Sequence, residues 1–433
     1  MNTISKGSWI DGINSINSKI FMPLMAATFI LFNTVINKWM GERIETLQNL
    51  IAICILLILA CNLLSEPKRV LLPWLRTNYL VIVYFVVRGI SLLQSGFEYG
   101  VIRTIFFEVF FLIGICMTTL QDNHRIYTSI FIWAELIFSG LSLVLYYTRS
   151  FFGAGFENFL TEYTYLDKSG NALMFANPNT AGIMVGFSLV LAVVLYGRSR
   201  YSKGFLLFFG IFNAAALLLF GCRSAEAGVL AVMGFAVIQK IFPKLNGKRI
   251  AAISLLICIM TLIPIYGLVA YHESKAHLSY TDIEEKADII SSGRYTLWKQ
   301  CAITQKDDML FGKGNLALEQ KDRKDFMDSL EHRWEYSYRY FQAAELGPHN
   351  GYIGMISAAG WLGFGLFMAI LMQRIKRAEH LKKGRWHLIL VFAFVINCFE
   401  SLFILNRFFT CFYMMMILET DMEKGQLTDG GKI

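Results

Sequence analysis

Three basic residues far apart in the chain, Arg223, Arg294 and His349, have side chains suited to chemistry on a phosphate ester. Arginine offers a planar fork of donors and keeps its charge, so two of them make a receptor for a diphosphate. An imidazole that titrates near neutrality can take the proton of an attacking hydroxyl. Together they suit a transfer in which a diphosphate departs and a sugar hydroxyl attacks. Singly, each has a plainer explanation, because cationic and polar side chains at membrane helix ends also anchor at headgroups.

The neighbouring residues say where these groups sit. His349 lies in Glu345-Leu346-Gly347-Pro348-His349-Asn350-Gly351-Tyr352, which closes a long polar insertion beginning near Tyr271 and opens an apolar run over 353–372. Gly347-Pro348 breaks the chain, proline suits a first helical turn, and Asn350 can cap the end. Arg223 lies in Gly221-Cys222-Arg223-Ser224-Ala225-Glu226, a turn between two apolar runs. Arg294 follows Ser291-Ser292-Gly293 and starts a segment expected to be a surface helix, with Tyr295, Trp298 and Ile303 as its anchoring face. Asn177-Pro178-Asn179 is a turn and cap signal expected to shape the outer mouth.

The elements that must carry these groups are membrane helices. Of 433 residues, 55% are hydrophobic and only 17% charged, with mean hydropathy +0.48. Hydrocarbon offers the backbone no hydrogen-bond partner, so segments of this composition span as helices. Apolar runs fall at 20–36, 50–64, 79–93, 101–120, 127–147, 181–197, 204–220, 225–242, 250–270, 353–372, 386–405 and 408–418, about twelve in all. With the N-terminus inside, most Lys and Arg fall in cytoplasmic loops, and the 271–349 loop falls outside. A loop of that length is functional or structured in its own right. The net charge of +8 then follows from the cytoplasmic excess and implies no nucleic acid. No cleavable signal peptide is expected, and the Gly-rich end of the sequence reads as a disordered tail.

Other charges fall within apolar runs: Arg88, Arg103, Glu108, Glu135, Glu226 and Glu400. Arg103 and Glu108 are five apart, so partners on other helices are expected, and a structural role is the first reading for all six. Seven of the eight cysteines lie in or beside apolar runs, with Cys301 inside the loop, and no disulfide framework is expected. No phosphate-cradling Gly-rich loop, metal-ligand cluster, Asp-x-Asp pair or Ser-centred nucleophile elbow is present. The reading is a metal-free reaction on a lipid-linked donor, with no cofactor.

From Asn177 to Gly365 the chain resembles the O-antigen ligase and O-antigen polymerase superfamily. Four segments in order carry the likeness. They are Ala176-Asn177-Pro178-Asn179-Thr180-Ala181; Cys222-Arg223-Ser224-Ala225; Ser292-Gly293-Arg294-Tyr295-Thr296-Leu297-Trp298 with Asp308-Met309-Leu310-Phe311-Gly312-Lys313-Gly314; and Pro348-His349-Asn350-Gly351-Tyr352 before Gly360-Trp361-Leu362-Gly363. One departure is that Ser224 precedes Ala225 after the first arginine.

The resemblance implies an all-α, GT-C-like polytopic membrane protein of about twelve transmembrane helices with one large extracytoplasmic loop. Its parts would be N-terminal helices over 1–270, the loop over 271–349, C-terminal helices over 350–420 and a cytoplasmic tail over 421–433. It would sit in the bacterial inner membrane with its active site on the periplasmic or extracellular side. The donor implied is a glycan on undecaprenyl diphosphate and the acceptor a glycan or lipid-linked glycan, with a flippase and a chain-length regulator as further partners. By the same likeness Arg223 and Arg294 hold the diphosphate and His349 activates the acceptor hydroxyl. Trp298, Asn177, Asn179, Asn350 and Tyr352 are the expected substrate contacts. No lipid A core acceptor site is recognisable, which favours polymerase over ligase. A flippase or transporter for lipid-linked sugars is the rival. It leaves the concentration of polar residues in one outer loop unexplained, and the internal repeat common in transporters is missing.

Overall fold

The computed structural model describes residues 33–41, 72–98, 123–167, 170–197, 201–274, 294–304, 308–314, 348–382 and 385–402, together with isolated positions between them. Among the described residues six helices are long and apolar enough to cross a membrane. Two shorter apolar helices, Tyr79–Gln94 and His387–Ile396, accompany them. Most of the expected runs at 20–36, 50–64, 101–120 and 408–418, most of the loop, and the 421–433 tail lie outside the described residues.

The helices, in order, are α1 (Ile36–Met40), α2 (Leu72–Thr77), α3 (Tyr79–Gln94) and α4 (Asn123–Tyr163). A hairpin of β1 (Tyr165–Asp167) and β2 (Gly170–Leu173) follows. Then come α5 (Pro178–Leu195), α6 (Lys203–Phe220), α7 (Arg223–Ile241), α8 (Gly247–Met260), α9 (Leu262–Ser274), α10 (Arg294–Thr304), α11 (Gly351–Arg377) and α12 (His387–Ile396). The hairpin corrects a purely helical expectation: β1 pairs antiparallel with β2, Tyr165 opposite Leu173 and Asp167 opposite Gly170. Several boundaries move as well. The run at 127–147 belongs to a 41-residue helix, roughly 60 Å long and about twice a hydrocarbon core. Its C-terminal carbonyls are held by Lys38 Nζ, 2.7 Å from both Thr161 and Thr164 oxygens. The run at 386–405 stops being helical after Ile396.

Short polar signals set the helix starts. Asn177 accepts the Thr180 amide at 2.7 Å with Pro178 in the first turn of α5. Ser202 caps α6 through the Phe205 amide at 3.1 Å, and Asn246 caps α8 through the Arg249 amide at 3.0 Å. Helix α5 is buried almost all round, packed against α4, α6, α7 and α12. Gly186 of α5 and Gly228 of α7 both lie against the Phe392 ring of α12, so small residues let these helices approach closely.

Helix α11 is broken at Gly360, where φ is 65° and ψ −180°, a conformation only glycine adopts readily. The loop segment 308–314 docks into that break. Lys313 and Gly314 amides donate to the Ser357 and Ala358 carbonyls at 2.9 and 3.1 Å. In return the Trp361 and Leu362 amides donate to Met309 and Leu310 at 2.9 and 3.3 Å. Backbone groups freed by the kink are thus paired inside the protein, the condition for irregular backbone beside a membrane helix. Arg88 of α3 clamps the joint. Its guanidinium pairs with Glu108 at 2.6 Å and donates to the carbonyls of Ala358 and, at 3.0 Å, Gly314. Arg88 is therefore the partner of Glu108, as the unfavourable spacing to Arg103 led one to expect; Arg103 itself lies outside the described residues.

Candidate functional site

The site is assembled where α11 begins and α12 ends. After Ile396 the chain turns, with the Phe399 and Glu400 amides both donating to the Ile396 carbonyl at 2.8 Å. Asn397 Oδ1 holds the Leu402 amide at 3.0 Å. The Gly351 amide donates to the Asn397 carbonyl at 2.8 Å, stitching the two helix ends together. A side chain at Gly351 would collide with the Asn397 amide, so glycine is what permits the stitch.

This stitch puts Glu400 beneath His349. Glu400 Oε2 lies 3.2 Å from His349 Nδ1. Its Oε1 accepts from Arg294 at 3.0 Å and from Asn179 Nδ2 at 2.8 Å. A carboxylate can only accept, so in the neutral imidazole Nδ1 carries the hydrogen and Nε2 the lone pair. Nε2 of His349 and Nε of Arg294 are both buried with no hydrogen-bond partner among the described residues. One carboxylate thus orients a histidine, an arginine and an asparagine brought from three other segments.

His349 reaches this position through a strained backbone, with φ 45°. Left-handed φ is uncommon for a residue with a side chain and clusters at functional sites. The flanking residues hold it there. Trp298 Nε1 donates to the Pro348 carbonyl at 2.8 Å, and Asn350 Oδ1 accepts the Tyr352 and Ile353 amides, both at 3.0 Å, to start α11.

Arg223 is the exposed first residue of α7. The left-handed Gly221 ends α6, and Cys222 precedes α7 without a side-chain cap. The buried Cys222 sulfur lies 3.8 Å from the Asn179 carbonyl oxygen and 3.2 Å from Ser224 Oγ. Burial pushes its thiol up, with the Glu400 and Arg294 charges acting in opposite directions on it. The Arg223 turn therefore packs on the asparagine that holds Glu400, while the Arg223 side chain faces outward.

The remaining expected contacts have structural partners. Asn177 caps α5. Asn350 is 1% exposed and caps α11. Tyr352 is fully buried, its hydroxyl donating to the Phe394 carbonyl at 3.1 Å. Helix α10 does not present Tyr295 and Trp298 to lipid. Tyr295, Leu297 and Cys301 are buried in the protein, and α10 packs on α9 and α11. The surface-helix expectation is corrected by that packing; the Ile303 side chain lies outside the described residues. Burial also pushes the Cys301 thiol up to about 12.

Glu400 is the residue that sequence reasoning set aside as structural. The available signal was a carboxylate inside an apolar run, which asks for a partner from another helix.

Residues 169–368 match the family model described as O-antigen ligase. Over that stretch the chain is similar to the O-antigen ligase family. The matched stretch contains Asn179, Arg223, Arg294 and His349, while Glu400 lies beyond it. It also contains the docked 308–314 segment and the Gly360 break. No curated relative and no solved structure matches the chain.

Proposed function

We propose that this chain is an inner-membrane glycosyltransferase that moves a glycan from undecaprenyl diphosphate to an acceptor sugar hydroxyl on the outer face. The polymerase, which extends a lipid-linked glycan, is the form carried forward; a ligase would use the same transfer step with another acceptor. The observation that carries the reading is the meeting of His349 and Arg294 on Glu400. His349 Nε2 takes the acceptor proton as the hydroxyl oxygen bonds to the anomeric carbon. The bond from that carbon to the diphosphate oxygen breaks, and direct displacement inverts the centre. Glu400 keeps Nδ1 protonated and the ring aimed.

Arg294 gives one donor to Glu400, and a guanidinium has five. Its buried, unpartnered Nε–H supports an anion-binding role, because such a donor gains a full hydrogen bond when an oxyanion arrives. Arg223 stands at the start of α7, which has no side-chain cap and where the helix dipole also favours negative charge. Trp298 acts by fixing the backbone of His349, and the face of its indole remains a candidate for sugar stacking. The reaction needs no metal in this scheme, since the charge on the departing diphosphate is met by the two arginines.

The test is glycan ladder formation by His349→Ala and Arg223→Ala proteins at normal abundance, with the wild type assayed after exhaustive chelation. Loss of ladders in both variants, with activity surviving chelation, is expected. Intact ladders from His349→Ala would end the assignment. In a deletion strain, single repeat units should gather on the outer face; gathering inside would favour the flippase.

A further inference from the structure

Helix α4 continues past its apolar span, Thr128–Arg149, as far as Tyr163, and these last turns have three faces. Phe152, Phe156, Phe159 and Tyr163, at spacings of four, three and four, form one stripe, with successive rings 5.0, 6.1 and 4.8 Å apart. Leu160 lies on a buried flank, packed with Leu173 of the hairpin. Glu157, Asn158, Thr161 and Glu162 are exposed on the remaining side. The stripe itself is uncovered: Phe152, Phe159 and Tyr163 are 65%, 51% and 44% exposed. Trp39 adds another exposed ring beside them, its Nε1 donating to the Tyr163 carbonyl at 2.8 Å.

The stripe stays close to the bundle. A straight helix would carry Tyr163 about 30 Å from Ser142. Instead the Met174 amide donates to Ser142 Oγ at 3.2 Å and Tyr165 pairs with Leu173, so the chain after Tyr163 is back near Ser142. Phe175 stands against Phe138 and Phe220, ring centroids 6.3 and 5.7 Å away, and Phe220 is the last residue of α6. Ser142 is therefore about one turn beyond the end of the bundle that carries the site. The exposed apolar face of the α4 span, with Trp133, Ile137, Leu141 and Val144, leads on to Phe151 and Phe152. Thr148 lies between them, its hydroxyl satisfied by the Val144 carbonyl at 2.7 Å. The lipid-facing surface of the span thus continues into the stripe.

We propose that the end of α4, together with Trp39, is an interfacial helix seated among the phospholipid headgroups at the site end of the bundle. An aromatic stripe opposite a polar back is the composition that enters the boundary between headgroups and acyl chains. Trp39 and Tyr163 supply the amphipathic rings that prefer that depth. Three of the four stripe residues are phenylalanine, which offers a sugar no polar handle. The hairpin leads through residues 174–176 into Asn177 at the start of α5, so this seating sets the depth of Asn179, which holds Glu400.

The test is nitroxide EPR on the full-length protein in phospholipid nanodiscs. One label is placed at Phe159→Cys and another, on the polar back, at Asn158→Cys, each read against a labelled parent in which Cys54→Ser removes the exposed thiol. Phe152→Cys repeats the stripe measurement if Phe159→Cys does not fold. The label at Phe159 should be relaxed by oxygen and shielded from a water-soluble nickel chelate, with an oxygen-to-nickel accessibility ratio several-fold above that at Asn158. Equal ratios at the two positions would overturn the proposal by placing the stripe in water. Shielding from both reagents would overturn it by putting protein over the stripe. Shielding that appears only when oligosaccharide is added would overturn it by making the stripe a sugar platform.

Discussion

Replacing Glu400 with glutamine separates its two effects on the site. The carboxylate accepts from Asn179, Arg294 and His349 at 2.8, 3.0 and 3.2 Å. An amide of the same shape has one acceptor oxygen, and its NH2 group must face one of those three donors. The imidazole then loses the partner that fixes its tautomer, a loss worth on the order of 10²–10⁴ in rate where a carboxylate orients a catalytic histidine. The opposite effect acts on Arg294. A charge pair at this spacing is worth about 4 kcal/mol at an effective dielectric near 20, and removing the anion frees the guanidinium for the donor's diphosphate. Glu400→Gln should therefore lower kcat by about 10²-fold or more without raising KM for the lipid-linked donor. The assay is initial-rate transfer with purified protein in nanodiscs and a defined lipid-linked repeat unit. A kcat within a few fold of wild type, or a KM that rises with kcat unchanged, would refute the orienting role.

Further outcomes follow from the same geometry. Arg223→Ala should lower kcat/KM for the lipid-linked donor while leaving stability within about 0.5 kcal/mol, because the side chain is exposed; a thermal melt and initial-rate transfer check both. Arg88→Ala strands the buried Glu108 and should cost about 3–5 kcal/mol in unfolding, whereas Arg88→Met with Glu108→Leu should cost less. Gly360→Ala places a Cβ against the Leu310 carbonyl at a φ only glycine tolerates. It should cost about 1–3 kcal/mol and expose the 308–314 segment to protease. On the side assigned to the cytoplasm, Lys248 and Lys382 hold the Glu379 carboxyl at about 2 against an ordinary 4.5. The contribution of that depressed carboxyl is complete above pH 4.5 and is lost as pH falls toward 2, so Glu379→Gln should flatten acid unfolding across that window.

What could be read in advance was what lies local in the chain. The caps at Asn177 and Asn350 and the turn at Gly221 are short-range patterns, and the helices beside them begin or end where those patterns say. The contacts that matter most are not local. Glu400 is 51 positions from His349 and 106 from Arg294, and nothing in the spacing announces that meeting. The docking of Gly312-Lys313-Gly314 into the Gly360 break depends on backbone groups, which leave no side-chain signature beyond the glycines. Trp298 and Tyr352 read as sugar-binding aromatics by type. Trp298 holds a loop carbonyl and Tyr352 holds a helix end, because a buried aromatic with a polar tip seeks an internal acceptor. Tyr295 was expected at the lipid surface because amphipathic spacing cannot distinguish lipid from a neighbouring helix.

A double-mutant cycle on His349 and Glu400 tests the central claim most directly, with transfer rates measured for His349→Ala, Glu400→Gln and the pair together. If the imidazole and carboxylate act as one unit, the double variant will be no slower than His349→Ala alone. Losses that multiply, or a His349→Ala protein that still transfers at the wild-type rate, would contradict the account.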